Sequence, residues 1–114
     1  MTTNGYVPDR GDAVWITPNP REGGEPAERL PALVLSWSAY NGKVGLALLC
    51  PIIDQRKGYP FEVPIPARMK VAGVVLSDQV RSMDWRALDA TLICKLPEAT
   101  VSEVLRKAAT LLSK

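Results

Sequence analysis

The sequence predicts a mostly β (α+β) fold, a small barrel or a strongly curved antiparallel sheet, with one C-terminal α-helix. Two observations carry this expectation. Short runs rich in β-branched and aromatic residues recur along most of the chain, and 10 Pro and 8 Gly cut them apart. Such meanders curl into barrels or bent sheets. From residue 101 the pattern changes. Val101, Val104, Leu105, Ala108, Leu111 and Leu112 fall at i, i+3, i+4, i+7, i+10 and i+11, which is one face of a helix. A length of 114 residues suits a single domain over 1–114.

Taken in order, residues 1–5 are expected to be a flexible tail. Residues 13–17 predict a first strand. Residues 18–31 form a long loop rich in Pro and charge, of the kind that carries function. Residues 32–35, apolar on both faces, predict a second and central strand. Residues 37–43 predict a turn, sharpest at Asn41-Gly42. Residues 45–50 make a third strand, and Pro51 is expected to stop it. Residues 54–58 are a polar loop. Residues 61–63 predict a brief fourth strand, held at a sheet edge by Pro64 and Pro66. Residues 73–76 predict a fifth strand, which residues 78–82 prolong. One helical turn is expected at 84–88 and a last strand at 91–94. The closing helix spans roughly 13 to 16 residues. Its start is marked either by the capping-box spacing of Thr100 and Glu103 or by Pro97 at the first turn.

The composition narrows the chemistry. The chain is 46% hydrophobic and 23% charged, as expected for a folded globular protein rather than a disordered one. A net charge of +2 is too small for a global field to hold nucleic acid, so any such contact needs a local basic patch. Cys50 and Cys94 lie in apolar runs and predict buried, reduced thiols. Two isolated Cys without any His cannot complete a tetrahedral metal shell, so neither metal nor cofactor is expected. The absence of His also leaves acid–base work to carboxylates, Arg, Lys or backbone groups. Residues 1–10 hold no apolar stretch of a signal peptide, and no run approaches membrane-spanning length. A cytoplasmic protein is expected.

Four blocks, in register over nearly the whole chain, resemble the MazF/PemK toxins. They are Tyr6-Val7-Pro8-Asp9-x-Gly11-Asp12-x-x-Trp15; Pro31-Ala32-Leu33-Val34-Leu35-Ser36 with Tyr40-Asn41; Lys57-Gly58-Tyr59-Pro60-Phe61-Glu62-Val63; and Gly73-Val74-Val75-Leu76-Ser77-Asp78-Gln79-Val80-Arg81-Ser82 with Asp84-Trp85-Arg86. The resemblance implies a compact, SH3-like barrel with a C-terminal helix, and a homodimer with single-stranded RNA lying across it. It implies a metal-independent endoribonuclease, an mRNA interferase in which the substrate's 2′-hydroxyl attacks the adjacent phosphate. The products are a cyclic phosphate and a free 5′-hydroxyl. It also implies a cognate antitoxin whose disordered tail fills the same groove, with DNA engaged only through the antitoxin complex. A gyrase-poisoning family of the same fold depends on a C-terminal Trp, whereas this chain ends Leu112-Ser113-Lys114.

The chemistry needs a group to take the 2′-proton, a cation for the pentacovalent phosphate and a donor for the leaving oxygen. The resemblance places Glu25 and Lys57 at family positions of function. Asp54 and Gln55 share the loop of Lys57, and Glu28 and Arg29 the loop of Glu25. Two positions depart from the family. Leu30 stands where an Arg precedes the Pro of the second strand, and Ile53 stands where the family has Thr or Ser. Neither supplies charge or a hydrogen bond. Three arrangements remain open: Arg29 replaces the missing Arg; the site is rebuilt from Glu25, Asp54 and Lys57; or the protein binds antitoxin or RNA without cutting. Gln79, Arg81 and Ser82 are the candidate RNA-facing edge. Arg86 is a further candidate, with an ion pair to Asp84 or Asp89 as its alternative. Trp15 and Trp85 are expected in the core, Tyr59 in a structural role. Trp37 is expected exposed, as a contact for a second copy, an antitoxin or RNA.

Overall fold

The structure is a computed structural model that describes residues 5–18 and 28–113. The described elements are β1 (Asp12–Ile16), β2 (Leu30–Val34), α1 (Ser38–Val44), β3 (Ala47–Ile53), β4 (Glu62–Pro64), β5 (Val74–Leu76), β6 (Arg81–Met83), β7 (Thr91–Lys95) and α2 (Glu98–Ala109). Four residues of the expected tail, most of the 18–31 loop, and Glu25 with it, lie outside the described residues.

All strand pairings are antiparallel, in the order β4-β5-β3-β2-β1-β7, with β6 also on β3. β3 organises the bend. One of its edges pairs Leu49, Cys50 and Pro51 with Val34, Leu33 and Ala32 of β2. Along the other, Ala47 to Leu49 pair with β6, while Ile52 and Ile53 pair with β5. A register shift at Ala13/Val14 bends β1 against β7. The end strands β4 and β7 do not pair with each other, so the sheet is curved and open rather than a closed barrel.

Pro51 does not stop the third strand; it lies inside β3. No residue pairs with it on that edge, because the pairing with β5 ends at Val75 opposite Ile52 and β6 begins at Arg81 opposite Leu49. A missing N–H is tolerated where no strand asks for it. The same gap explains why residues 78–82 do not simply prolong β5. Residues 77–80 bulge away from β3, and the chain rejoins its edge only at Arg81.

The 37–43 segment is the helix α1, not a turn. Contacts far away in sequence override the local Asn-Gly preference. Asp9 Oδ1 accepts the Ser38 N–H at 2.8 Å and caps the helix. Asn41 is fully buried and donates to the Pro8 and Ser36 carbonyls at 2.8 and 2.9 Å. Gly45, placed in the third strand by its sequence, ends α1 in the left-handed region at φ 85°. The single turn at 84–88 forms as expected, with the Leu88 N–H on the Asp84 carbonyl.

The two sheet faces carry separate cores. Ala13, Leu33, Leu35, Cys50 and Ile52 face Val101 and Val104 of α2. Val14, Ile16, Ala32, Val34, Ala47 and Leu49 pack with Trp85 on the other side. Each fully buried Val or Leu contributes about 1.5–3 kcal/mol. α2 has 12 residues, shorter than expected, with Pro97 as its N-cap rather than Thr100. No described helix is long and apolar enough to cross a membrane.

Candidate active site

The loop that follows β3 carries Asp54, Gln55 and Lys57 in exposed positions. Glycine at residue 73 lets β5 approach closely enough to start this loop. A Cβ there would lie 2.0 Å from the Ile53 carbonyl oxygen, and its φ of +121° disfavours any side chain. Three ties then fold the loop. The Glu62 carboxylate, 6% exposed, accepts the Lys57 N–H at 3.0 and 3.2 Å and the Gly58 N–H at 3.2 Å. Lys107 of α2 donates to the Pro60 and Glu62 carbonyls at 2.7 and 3.0 Å. The Tyr59 hydroxyl donates to Asp78, which raises the Tyr59 pKa above its ordinary value because the carboxylate holds the proton in place.

These ties shape an open groove of about 510 Å³ lined by Ile53, Lys57, Tyr59, Glu62, Leu76 and Gln79, among others. Two sequence-predicted residues, Lys57 and Gln79, therefore line the same groove, and Ile53 lines it with them. Gln79 is delivered by the 77–80 bulge. Arg81 and Ser82 stand exposed on the neighbouring β6.

Arg29 goes elsewhere. Its guanidinium lies 4.6 Å from the centre of the Trp15 ring, whose chain neighbours Val14 and Ile16 point into the opposite core. Leu30, paired with Ile16, is 43% exposed. Successive strand residues face opposite sides, so the one-residue offset from Leu30 to Arg29 changes face. Arg86 does not make the ion pair considered for it. It stacks over Trp85 at 4.6 Å and donates to the Gly42 carbonyl at 3.3 Å, while Asp84 accepts the Ala87 N–H. Trp85 is buried and Trp15 partly so. Among the described residues no group of three His, Cys, Asp or Glu is placed to hold a metal ion.

Other motif residues turn out to be scaffold. Asp12, 4% exposed, accepts the Tyr6 hydroxyl at 2.7 Å and pairs with Lys95 at 3.0 Å. The glutamate and aspartate that shape the groove, Glu62 and Asp78, are not legible as site residues from spacing. The signal for Glu62 is an acid between Phe61 and Val63 in an apolar strand, since buried acids are rare without a partner.

A second groove, about 650 Å³, is lined by Leu105, Ala108 and Ala109 of α2, Tyr40 of α1, Leu48 of β3 and Val80, among others. Its exposed apolar residues include Trp37, Tyr40, Leu48, Val80 and Leu111. Arg10 lies 4.0 Å above the Trp37 ring and donates to the Leu35 carbonyl at 2.6 Å, which fixes its cation on that surface.

The motif blocks and this architecture agree with a family model. The model for PemK-like, MazF-like toxins of type II toxin–antitoxin systems matches residues 9–112. The chain belongs to this family. The endoribonuclease toxin MazF of Escherichia coli K12 is 49% identical over 86 residues, covering 75% of this chain and 77% of that protein. The endoribonuclease toxin ChpB of the same organism is 37% identical over 102 residues, covering 85% and 87%. Among solved structures, a MazE–MazF crystal structure from Deinococcus radiodurans superimposes with a TM-score of 0.85 at 47% identity, covering 95% of this chain and 97% of that one. MazF/PemK-family membership thus accounts for the curved sheet with its C-terminal helix.

Proposed function

We propose that this chain is the toxin of a type II toxin–antitoxin pair and cuts single-stranded RNA in the cytoplasm, without a metal, by attack of the substrate's 2′-hydroxyl. The observation that carries the reading is the groove that Lys57 and Gln79 both line beside the end of β3. Its relatives of 49% and 37% identity are endoribonuclease toxins. Lys57 is the cation for the phosphate, and Gln79 offers an amide to a base or a phosphate oxygen. Arg81 and Ser82 continue that contact edge along β6, with Gln55 beside it on the Lys57 loop. Proton transfer falls to a carboxylate, Asp54 at the end of β3 or Glu25. The exposed apolar groove around Trp37 and Leu111 suits a protein partner, a second copy or an antitoxin segment.

One observation favours a second reading. Arg29 stacks on Trp15, while Leu30 and Ile53 stand where the resemblance implies two phosphate-handling residues. In that reading the protein holds antitoxin or RNA without cutting.

Incubating the purified protein with a long single-stranded RNA in EDTA and mapping the ends separates the two. Cuts at a defined short motif that leave cyclic phosphates and free 5′-hydroxyls establish the nuclease. Intact RNA that remains bound establishes the binding module.

A further inference from the structure

We propose that Glu62 is a positioning residue for Lys57, acting by holding the backbone of the loop rather than by touching RNA. The inference rests on the reading of Lys57 as the phosphate cation. Glu62 is an acid on an end strand, yet only 6% exposed. Buried carboxylates need partners. This one takes two successive backbone N–H groups, those of Lys57 and Gly58. Gly58 sits at φ +77°, the left-handed conformation that turns consecutive N–H groups toward one anion. The anion held in that nest is the protein's own carboxylate, four and five residues on in the chain.

The consequence is directional. The loop is otherwise exposed from residue 54 to 60, and its side chains make no core that would fix it. Both oxygens of Glu62 meet the N–H of Lys57, so the carboxylate sets the plane from which the Lys57 side chain leaves the backbone. Both carboxylate oxygens are engaged by backbone N–H groups of the loop, which separates its role from that of a general base. Misplacing a transition-state cation by about 1 Å costs on the order of 100-fold in rate.

Glu62→Gln is the probe, because it keeps the shape and replaces one acceptor oxygen by a donor that faces an N–H. The expected result is a kcat lowered about 10- to 100-fold on the mapped RNA, with KM near that of the parent. In a Lys57→Ala background the same substitution is expected to change kcat less than about twofold, since a residue acting through Lys57 has nothing left to position. Amide hydrogen exchange gives a readout without catalysis. The Lys57 and Gly58 amides are expected to lose protection in Glu62→Gln while the β3 amides keep theirs. Equal losses of activity in the parent and Lys57→Ala backgrounds would overturn the proposal, as would retained protection at Lys57 and Gly58. If the parent protein cuts no RNA, the nuclease reading falls and the exchange measurement alone decides Glu62. Should Glu62→Gln fail to fold, Glu62→Asp retains the charge with a shorter reach, and the same exchange and double-variant outcomes apply.

Discussion

Leu30 and Ile53 stand at the same end of the β2–β3 ladder, each two residues beyond the paired Ala32 and Pro51. Alternation gives both the facing of that pair. The two positions that the resemblance marks as departures are therefore neighbours in the fold, and in the proposed reaction they leave one spot without polar chemistry. Restoring it is expected to help: the double variant Leu30→Arg/Ile53→Thr gains about tenfold or more in initial cleavage rate. Absence of any gain in the double variant would show that the reaction does not pass through that end of the ladder.

Lys57 and Arg29 separate the surviving schemes. Lys57→Ala is expected to lower kcat by about 100-fold while leaving thermal stability unchanged, because the side chain is exposed. Arg29→Ala is expected to keep the cleavage rate and to cost under about 1 kcal/mol, the worth of an exposed stack on Trp15. Rates on a fixed RNA and urea unfolding curves check both. A collapse of activity in Arg29→Ala would return that arginine to the site.

Cys50 should be inert in the folded protein. Burial, reinforced by the Asp78 carboxylate, pushes its thiol up to about 12, so almost no thiolate exists near neutral pH. A disulfide reagent at pH 8 is expected to leave Cys50 unmodified until denaturant is added. Peptide mapping of the labelled protein reads the outcome directly, and rapid labelling of Cys50 in native buffer would contradict the buried placement.

Asp9 supplies a pH dependence. The N–H of Ser38 holds its carboxyl below the usual 3.8, assisted by the Arg10 N–H and the Lys95 charge. A depressed folded pKa stabilises the protein above the unfolded value, and that contribution is lost as pH falls through the folded one. The stability gap between the parent and Asp9→Asn, which keeps an acceptor for the cap, is therefore expected to shrink as pH drops below about 4. Urea midpoints between pH 6 and 3 measure it; a gap that is constant across that range would refute the assignment.

Asn41→Ala tests the scaffold. It strands the buried carbonyls of Pro8 and Ser36 and the Ser36 hydroxyl, which donates to Asn41 at 2.6 Å. A loss of about 3 kcal/mol is expected from several unsatisfied groups in one buried network.

These same residues mark what was legible in the sequence. The C-terminal helix and most strands followed from apolar period, because packing on one face imposes that period. α1 was illegible, since Asn41-Gly42 signals a turn locally and only distant partners, Pro8 and Asp9, make it a helix. Pro51 misled for a related reason: whether a missing N–H matters depends on which strand lies alongside. Part of the candidate groove could be read from the sequence. Lys57 and Gln79 came from motif blocks and do share a groove. The supports, Glu62 and Asp78, act through contacts that spacing does not encode. The offset of Arg29 from Leu30 could be judged by strand alternation alone.

In the proposed reaction the RNA's own 2′-hydroxyl is the nucleophile. Once the cut site is mapped, an oligonucleotide with a single 2′-deoxy nucleotide immediately 5′ of the scissile phosphate tests it most directly. This substrate is expected to bind and stay intact in EDTA while its all-ribose counterpart is cut to a cyclic phosphate. Cleavage of the 2′-deoxy substrate at the same position would contradict it.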